Sequence, residues 1–311
     1  MMRVVVFFMS FYTRQMVNHV ERFAPSPTGL LHLGHAFSAL TAFEAAKKVG
    51  GQFLVRIEDI DVTRSRPEFE AAIFEDLAWL GIEWEQPALR QVDRFDAYQV
   101  ALDDLKARGL IYPCFCTRKE ISAAMNAPHH NGGPAGPDGP AYPGTCRLIF
   151  PDVRRMDCNS YALRLDMRKA IASIGGSGIV KKLSFKELGK GPNGEKKKIN
   201  LDPDYLVEAC GDVVLARKET PASYHLSVVL DDAFQQITHV TRGQDLFVAT
   251  SIHRLLQALF GRPTPLYRHH RLITNEDGKR LAKRDDARSI RAFRDDGASV
   301  NDVRKLIGMK A

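Results

Sequence analysis

The chain has 311 residues, of which 44% are hydrophobic and 26% are charged, and its formal net charge is +7. This composition is typical of an ordinary soluble globular protein, and the length allows two domains with a substantial core. No apolar run approaches the roughly 20 residues that cross a bilayer, so we expect no membrane association. The positive charge permits a polyanionic partner without requiring one.

Residues 1–15 contain one short apolar run, V-V-V-F-F-M, directly after Arg3. Because no small-residue cleavage site follows, we interpret this segment as an over-extended start or a loose N-terminal tail, not as a secretory signal. The five cysteines are an odd number and do not suggest a disulfide framework. We therefore expect the protein in a reducing cytoplasm.

Residues 22–35 read R-F-A-P-S-P-T-G-L-L-H-L-G-H, and the later motifs are best understood as partners of this stretch. An apolar run at 20–24 precedes the prolines, and a periodic apolar run at 36–46 follows them. This pattern predicts a strand, a tight turn and a helix. A helix N-terminus presents unpaired N–H groups and a partial positive charge, both of which suit a phosphate.

Two histidines, His32 and His35, flank Gly34 at the predicted start of this helix. The glycine would let a phosphate or a flat ring approach the backbone closely. Each imidazole could donate a hydrogen bond to a phosphoryl oxygen as charge develops in a transition state. The alternative is that both histidines only cap and solvate the helix.

Three acids follow a short β-rich run at residues 53–57, and they are Glu58, Asp59 and Asp61. Ligands of open α/β sheets gather at the carboxyl ends of strands, so we expect these acids to face the crevice beside Gly34. Asp59 and Asp61 also suit a structural role as caps of the helix predicted at 66–80.

A cysteine-containing segment begins near Tyr112 with Cys114 and Cys116, and Cys146 follows a loop. Ten of the twenty residues from 126 to 145 are Pro or Gly, so this loop needs an anchor. Three thiolates supply most of a tetrahedral zinc shell. The candidates for the fourth ligand are Tyr142, His129 and His130. The alternative is three buried free thiols.

Residues 167–201 form an insertion rich in Gly and Lys, which we expect to be mobile. Nine Lys or Arg stand against Glu187 and Glu195 between residues 168 and 198. The segment is either a solvated charged loop or a contact for phosphates.

The second half of the chain shows another alternation of apolar runs and polar ends. Strands are predicted within 146–166 and at 213–216, 227–230 and 237–241, and helices at 95–108 and 251–260. Arg242 follows the last of these strands, where its two-pronged guanidinium could bind a carboxylate. The alternative is a surface ion pair with Asp245. Further along, the run Lys279–Arg284 carries four cations in six residues.

The string at 22–35 resembles the HIGH-type motif of class I aminoacyl-tRNA synthetases, and its flanks resemble the glutamyl branch. Matching motifs recur in the right order from residue 20 to about 290. They lie at Arg56–Asp61, Tyr224–Asp232, Arg242–Asp245 and Arg280–Arg284. The resemblance implies a Rossmann-type α/β catalytic domain with a parallel sheet, interrupted by a zinc-binding or acceptor-binding-like insertion.

The resemblance also implies the residues of the site. ATP would be bound by His32, Gly34, His35, Arg280 and Lys283, of which His32, His35 and Lys283 would be catalytic. Glutamate would be bound by Arg22, Phe23, Ala24, Pro25, Ser26, Glu58, Tyr224 and Arg242. The pattern C-x-C…Y-x-x-x-C resembles the zinc knuckle of short glutamyl-synthetase-like proteins, and its ligands would be Cys114, Cys116, Tyr142 and Cys146.

The loop R-L-A-K-R at 280–284 stands where class I synthetases have a KMSKS-type sequence. Lys283 matches the lysine that meets the phosphates of ATP. Arg280 replaces the usual lysine and keeps its charge, whereas Ala282 replaces the usual serine. The loss of that hydroxyl puts one loop-stabilising hydrogen bond in doubt, but not the chemistry.

Only 27 residues follow Arg284, so we expect no anticodon-binding domain, as in the glutamyl-Q tRNA(Asp) synthetases. That family implies tRNA-independent activation of L-glutamate by ATP with Mg²⁺, and transfer to the queuosine base of tRNA(Asp). The alternatives are a truncated glutamyl-tRNA synthetase that charges tRNA(Glu) and a non-catalytic RNA-binding paralogue. We expect a monomer. The domains would be a tail at 1–15, catalytic halves at 16–110 and 212–285, an insertion at 111–211 and a helical tail at 286–311.

Overall fold

The computed structural model describes residues 19–125, 135–147, 161–217, 219–274 and 288–310. In the first half the elements are β1 (Val20–Phe23), α1 (Leu33–Lys48), β2 (Gln52–Ile57), α2 (Pro67–Trp79), β3 (Glu85–Arg90) and α3 (Phe95–Ala107). These elements confirm the strand, turn and helix predicted around residues 22–35. They also confirm the predicted strand at 53–57 and the helices at 66–80 and 95–108.

The insertion begins with β4 (Ile111–Cys114), α4 (Arg118–Met125), β5 (Ala135–Gly136), β6 (Gly139–Pro140) and β7 (Ala162–Leu165). It continues with α5 (Met167–Ser173), α6 (Ser177–Val180), β8 (Ser184–Glu187), β9 (Lys197–Asn200) and α7 (Pro203–Tyr205), which runs into a π-helical turn at Leu206–Cys210. The remaining elements are β10 (Val214–Arg217), α8 (Tyr224–Phe234), β11 (His239–Gly243), α9 (Ala249–Leu259), β12 (Leu266–His270), α10 (Ile290–Asp295) and α11 (Val300–Leu306).

Two groups of parallel strands form the centre of the fold. One has the order β1-β2-β3, and the other has the order β11-β12-β8-β9, in which only β9 is antiparallel. The groups meet at β1 and β11, where the N–H of Thr238 donates to the carbonyl of Val20 at 3.1 Å. The chain thus crosses from one group to the other at β1, and this switch point opens a crevice at the carboxyl ends of the strands. The predicted Rossmann-type fold is confirmed.

The stretch at 227–230, predicted as a strand, is instead part of α8, so this prediction was wrong. Ser223 caps the helix by accepting a hydrogen bond from the N–H of Leu226 at 3.4 Å. Residues 225–232 are all buried, so the helix has no polar face and no 3.6-residue pattern to reveal it. A continuous apolar run of this length fits a buried strand equally well by sequence.

Asp59 and Asp61 do not cap α2, contrary to expectation. Arg66 occupies the cap position and makes no side-chain cap hydrogen bond. Asp59 accepts from the N–H of Val92 at 3.0 Å, and Asp61 accepts from the N–H of Thr63 at 3.2 Å. Both acids lie too far before the helix to reach its first turn, so they organise the preceding loop.

The insertion at 167–201, expected to be mobile, has regular structure and a buried side. Met167, Ile171, Val180 and Phe185 all belong to the larger hydrophobic core. Its strand β8 pairs in parallel with β12 and so extends the central sheet. The lysines that dominate its composition lie on the opposite, exposed side, which is why the sequence suggested a solvated loop.

The C-terminal helices are confirmed, but they are packed into the molecule. Ile290, Phe293, Val303 and Ile307 are buried in the core formed by the first half. The N–H of Ile290 donates to the carbonyl of Leu31 at 2.8 Å, just before α1. This segment therefore supports the loop that leads into the two histidines. Within the described ranges, no helix has the length and apolar character needed to span a membrane.

Glu21 on β1 is a carboxylate buried inside this sheet, and it has 0% exposure. Thr241 donates to its Oε1 at 3.2 Å. Burial raises the pKa of Glu21 from 4.5 to about 7, against the smaller opposing effects of Thr241 and Arg22. Because the folded state binds this proton more tightly than the unfolded state, the contribution of Glu21 to stability falls as pH rises from 4.5 through 7.

We expect Glu21→Gln to stabilise the protein at pH 8 by about 1–3 kcal/mol and by less at pH 5, because the amide resembles the protonated acid. Urea unfolding at both pH values measures the difference. Glu85→Gln on the exposed part of β3 is the matched control, and it should change stability equally little at both. An equal gain from Glu21→Gln at both pH values would contradict the assignment.

Candidate active site

A cavity of about 370 Å³ opens at the carboxyl ends of β1 and β11, where the two strand groups meet. Residues 22–26 form one wall, and the start of α1 forms another. Tyr224 from α8 and residues 241–243, 245 and 246 close the far side. The sheet thus brings together motifs that lie more than 200 residues apart in the sequence.

The two histidines cap α1 reciprocally. Nδ1 of His32 accepts from the N–H of Gly34 at 3.1 Å, and Nδ1 of His35 accepts from the N–H of His32 at 3.2 Å. Their rings lie 3.9 Å apart, centroid to centroid. Since each Nδ1 is an acceptor, the proton of a neutral ring lies on Nε2, and Nε2 is the donor. The capping alternative and the donor role are therefore both satisfied by one arrangement.

Gly34 is required by its neighbour in the cap. A Cβ atom there would lie 2.9 Å from Cε1 and 3.1 Å from Nδ1 of His32. Any side chain at this position would therefore displace the His32 ring. The sequence predicted close approach at Gly34, and the group that approaches in the structure is this imidazole.

A buried ion-pair network lies below the cavity. Asp232 Oδ1 lies 3.0 Å from Nε of Arg22 and 2.8 Å from Nη1 of Arg56. Burial alone would raise the pKa of Asp232, but the two guanidinium groups outweigh it and hold the pKa below its usual value. Within the described part of the chain, the terminal nitrogens of Arg22 have no other hydrogen-bond partner, and Arg22 lines the cavity.

Glu58 lies at the end of β2, beside the same network. Its Oε1 is 3.5 Å from Nη2 of Arg56. Burial raises the pKa of Glu58, and the nearby Arg56 and Arg22 partly oppose the rise. A carboxylate with this environment on a cavity wall is suited to accept hydrogen bonds from an ammonium group.

Arg242 is 5% exposed, so it is not the surface residue that a pair with Asp245 would require. Its guanidinium donates to neutral groups: Nε2 of His269 at 3.1 Å, the Tyr224 hydroxyl at 3.1 Å, Nδ1 of His253 at 3.2 Å and Oγ1 of Thr250 at 2.7 Å. Among the described residues, no carboxylate lies within ion-pairing distance of Arg242. The cavity is therefore lined by a buried cation whose charge is not balanced by direct contact.

A larger cavity of about 920 Å³ adjoins the first and shares Ser26, Thr28, Glu58 and Tyr224 with it. The insertion supplies its other side through Asp138 and Tyr142, together with Asp212, which directly follows the insertion. Two substrates could therefore meet at the shared wall.

The cysteine cluster lies next to this larger cavity. The sulfur atoms of Cys114, Cys116 and Cys146 lie within 4.8 Å of one another, and those of Cys116 and Cys146 are 3.5 Å apart. Four ligands about 2.3 Å from a zinc ion would be separated by about 3.8 Å, so the spacing suits a metal ion. The Tyr142 hydroxyl is 3.3 Å from Sγ of Cys116 and accepts from the N–H of Cys146 at 2.9 Å. This cluster could bind a metal.

Comparison with known proteins places this geometry in a family. The family described as "tRNA synthetases class I (E and Q), catalytic domain" matches residues 19–174 and 193–308. The Glutamyl-Q tRNA(Asp) synthetase of Rhodobacter capsulatus is 51% identical over 93% of this chain and 100% of its own length. The chain belongs to the glutamyl-Q tRNA(Asp) synthetase group of the class I synthetases. The Glutamyl-Q tRNA(Asp) synthetase of Symbiobacterium thermophilum is 38% identical over 91% of this chain and 83% of its own length.

Solved structures agree with this membership of the class I synthetases. Glutamate-tRNA synthetase from Elizabethkingia anophelis aligns with a TM-score of 0.67 at 27% identity, over 86% of this chain and 53% of that structure. A glutamate tRNA ligase from Elizabethkingia meningosepticum, in complex with its amino acid, aligns with a TM-score of 0.66. Our chain thus spans about half the length of these two structures.

In this synthetase-family chain, the structure brings the predicted residues Arg22, Phe23, Ala24, Pro25, Ser26, His32, Gly34, His35, Glu58, Tyr224 and Arg242 to one cavity. Their functional roles stay predictions. Arg280 and Lys283, and the alternative zinc ligands His129 and His130, lie outside the described residues. The monomer and the cytoplasmic location likewise stay predictions.

Sequence reasoning missed the residues that hold the site together: Arg56, Asp232, His253, Thr250 and His269. Arg56 carried a signal, since an arginine inside an apolar strand is rarely left unpaired. Asp232 was named as the last residue of the Tyr224–Asp232 motif, with no role assigned to it. The others gave no local signal, because their roles come from contacts across the fold.

Proposed function

We propose that the protein activates L-glutamate with ATP, without tRNA, and transfers the glutamyl group to the queuosine base of tRNA(Asp). The observation that carries the proposal is the placement of charge on the cavity wall. Arg22, Arg242, Glu58 and Asp245 all line the cavity. Arg22 contacts the carboxylate of Asp232, whereas no carboxylate among the described residues contacts Arg242. Two guanidinium groups on the wall suit the two carboxylates of glutamate, and Glu58 suits its ammonium group.

This arrangement supports selection against glutamine. Glutamine has one carboxylate where glutamate has two, so one of the two cavity-lining guanidinium groups would receive no substrate carboxylate, and leaving a buried cation without one costs several kcal/mol. The ammonium group of the substrate would lie against Glu58. The terminal nitrogens of Arg22 and the Arg242–Tyr224 pair would hold the two carboxylates.

In the activation step, an oxygen of the α-carboxylate attacks the α-phosphorus of ATP. An O–P bond to the glutamyl group forms, and the bond from the α-phosphorus to pyrophosphate breaks. Enzymes that do this work mainly by positioning the reactants and stabilising phosphoryl charge. His32 and His35 would donate from Nε2 to those oxygens, and Lys283 would add its charge. Bound Mg²⁺ would neutralise charge on the phosphates.

The hairpin formed by β8 and β9 supports a tRNA partner. Seven lysines between residues 181 and 198 are all exposed, and none of them forms an ion pair with a described residue. Lys186 and Lys198 lie directly opposite each other in the strand register. Placing like charges opposite each other is unfavourable for the hairpin alone, and a phosphate backbone would compensate for it.

We infer a zinc ion at Cys114, Cys116, Cys146 and Tyr142. Thiolates and a phenolate suit zinc, and a structural ion supplies folding free energy to a segment of Pro and Gly. Free thiols at the described cysteines are also consistent with a cytoplasmic protein.

We expect glutamate-dependent ATP–pyrophosphate exchange in the absence of RNA, with glutamine slower by roughly two orders of magnitude or more. Tyr224→Phe should raise the KM for glutamate about tenfold, because it removes a hydroxyl that binds the Arg242 cation. Tyr161→Phe is the matched control and should leave the KM for glutamate and the KM for ATP unchanged. No exchange, or equal exchange with glutamine, would reject the proposal.

For the acceptor, we expect glutamate to be attached to tRNA(Asp) that carries queuosine and not to the same tRNA without it. Product on tRNA(Glu) alone would show a truncated glutamyl-tRNA synthetase. Lys186→Gln together with Lys198→Gln should weaken binding of the tRNA and therefore its charging. The slope of log affinity for the tRNA against log salt concentration should become shallower by about one to two. The RNA-free exchange of this double variant should be normal, and weakened exchange would argue against a tRNA contact.

For the metal, we expect one zinc ion per chain by elemental analysis, and its loss in Cys116→Ala. The variant and the chelated wild type should both unfold at lower temperature, because the loop loses its anchor. Cys210→Ala, buried outside the cluster, is the control and should retain zinc. Tyr142→Phe tests the fourth ligand. Full zinc content in Cys116→Ala would exclude this site.

A further inference from the structure

Two chains of imidazoles lead away from Arg242, and both end in carboxylates from the insertion. One chain is His269 followed by Glu187. The other runs through His253 and His225 to a second carboxylate at position 138, in the turn between β5 and β6. The insertion therefore touches the glutamate side of the cavity indirectly, through the groups that surround Arg242.

The His269 chain has only one possible assignment of protons. Nε of Arg242 can only donate, so Nε2 of His269, 3.1 Å away, has to accept. The ring proton therefore lies on Nδ1, which donates to Oε2 of Glu187 at 2.5 Å. A neutral ring is also favoured by its surroundings, since burial lowers the pKa of His269.

Glu187 is fully committed to this arrangement. Its side chain and that of His269 are both 0% exposed. Its second oxygen, Oε1, accepts from the N–H of His269 at 2.9 Å and from the N–H of Gly189 at 2.7 Å. A carboxylate can satisfy all three donors because it has only acceptor sites. The low dielectric of a buried position makes these bonds strong.

The second chain follows the same rule but ends in a more solvated group. Nδ1 of His253 accepts from Arg242, so its Nε2–H donates to Nδ1 of His225 at 3.1 Å. His225 then donates from Nε2 to Asp138 at 3.1 Å. The Asp138 side chain is 60% exposed, so water can replace it. Of the two carboxylates, Glu187 is the one that cannot be replaced.

We propose that Glu187 is a positioning residue for amino-acid recognition: it fixes the tautomer of His269 and thereby aims the guanidinium of Arg242 into the cavity. The inference rests on the proposed function, because it assumes that Arg242 binds the substrate carboxylate. It assigns a role in specificity to the insertion hairpin, which is separate from the lysines on its exposed side.

Replacing Glu187 by Gln tests this role with almost no change in volume. The new amide has one acceptor oxygen and one NH₂ group, so the NH₂ meets either the two backbone N–H groups or the Nδ1–H of His269. The ring can relieve the second conflict only by moving its proton to Nε2. That proton would then face the N–H of Arg242, and the guanidinium would have to turn.

We expect Glu187→Gln to raise the KM for glutamate on the order of tenfold to a hundredfold, with the KM for ATP changed less than about twofold. Glutamate-dependent ATP–pyrophosphate exchange measures both values. Glu195→Gln is the matched control on the same hairpin. The Glu195 carboxylate accepts hydrogen bonds from Asn193, away from Arg242 and its partners. This substitution should therefore leave the KM for glutamate and the KM for ATP unchanged.

A double-mutant cycle with His269→Ala shows whether Glu187 acts through the imidazole. In that background, Glu187→Gln should have a much smaller effect on the KM for glutamate. Fully additive effects, or equal rises in both KM values, would indicate a merely structural role and overturn the inference. So would an unchanged KM for glutamate in Glu187→Gln.

A measurement on the wild-type protein covers the case in which the variant does not fold. ¹⁵N NMR of the imidazoles, with His269 assigned from the spectrum of His269→Ala, should show the Nδ1–H tautomer. An Nε2–H tautomer or an imidazolium would overturn the inference. If the wild type shows no glutamate-dependent exchange, the proposed function fails and this inference fails with it. A normal wild type beside an unchanged Glu187→Gln rejects this inference alone.

Discussion

The buried guanidinium of Arg242 is the group on which the rest of the site depends. It donates four hydrogen bonds to neutral side chains, and no carboxylate in the described part of the chain touches it. Burying a cation without a counter-charge is unfavourable by several kcal/mol, even when its N–H groups are bonded. The hydrogen bonds make the position tolerable, while the charge stays available to a ligand. The cavity wall therefore presents a buried cation that has no directly bonded carboxylate among the described residues.

The fold brings this cation to the cavity by a long route. Arg22 lies near the carboxyl end of β1, and Arg242 lies near the carboxyl end of β11. The two groups of parallel strands meet at these two strands. The insertion extends the second group through β8, so Glu187 is carried beneath the same strand ends. The sequence of residues 167–201 suggested a charged loop, but one side of this segment belongs to the central sheet. Its lysines face solvent on the other side.

Sequence patterns predicted those parts of the fold that depend on residues close together in the sequence. The strand, turn and helix around residues 22–35, the acids that end β2 and the cysteine cluster all follow from spacing and composition. The contacts that position the charged side chains of the site join residues that are far apart in the sequence. Asp232 pairs with Arg22 across 210 residues, and Glu187 with His269 across 82. Helix α8 hid Asp232 further, because its burial on every side removed the helical period and suggested a strand.

The arginines of the site differ in their partners. Arg56 contacts both Asp232 and Glu58 inside the protein, whereas Arg22 contacts Asp232 through Nε and also lines the cavity. Arg242 has no carboxylate partner among the described residues, so a bound anion would offset the cost of burying its charge. A ligand that binds only the folded state stabilises it by an amount that rises with the logarithm of the ligand concentration once that concentration exceeds Kd. Under the proposed function, the charge that binds a substrate carboxylate also makes the stability of the folded protein depend on the concentration of that substrate.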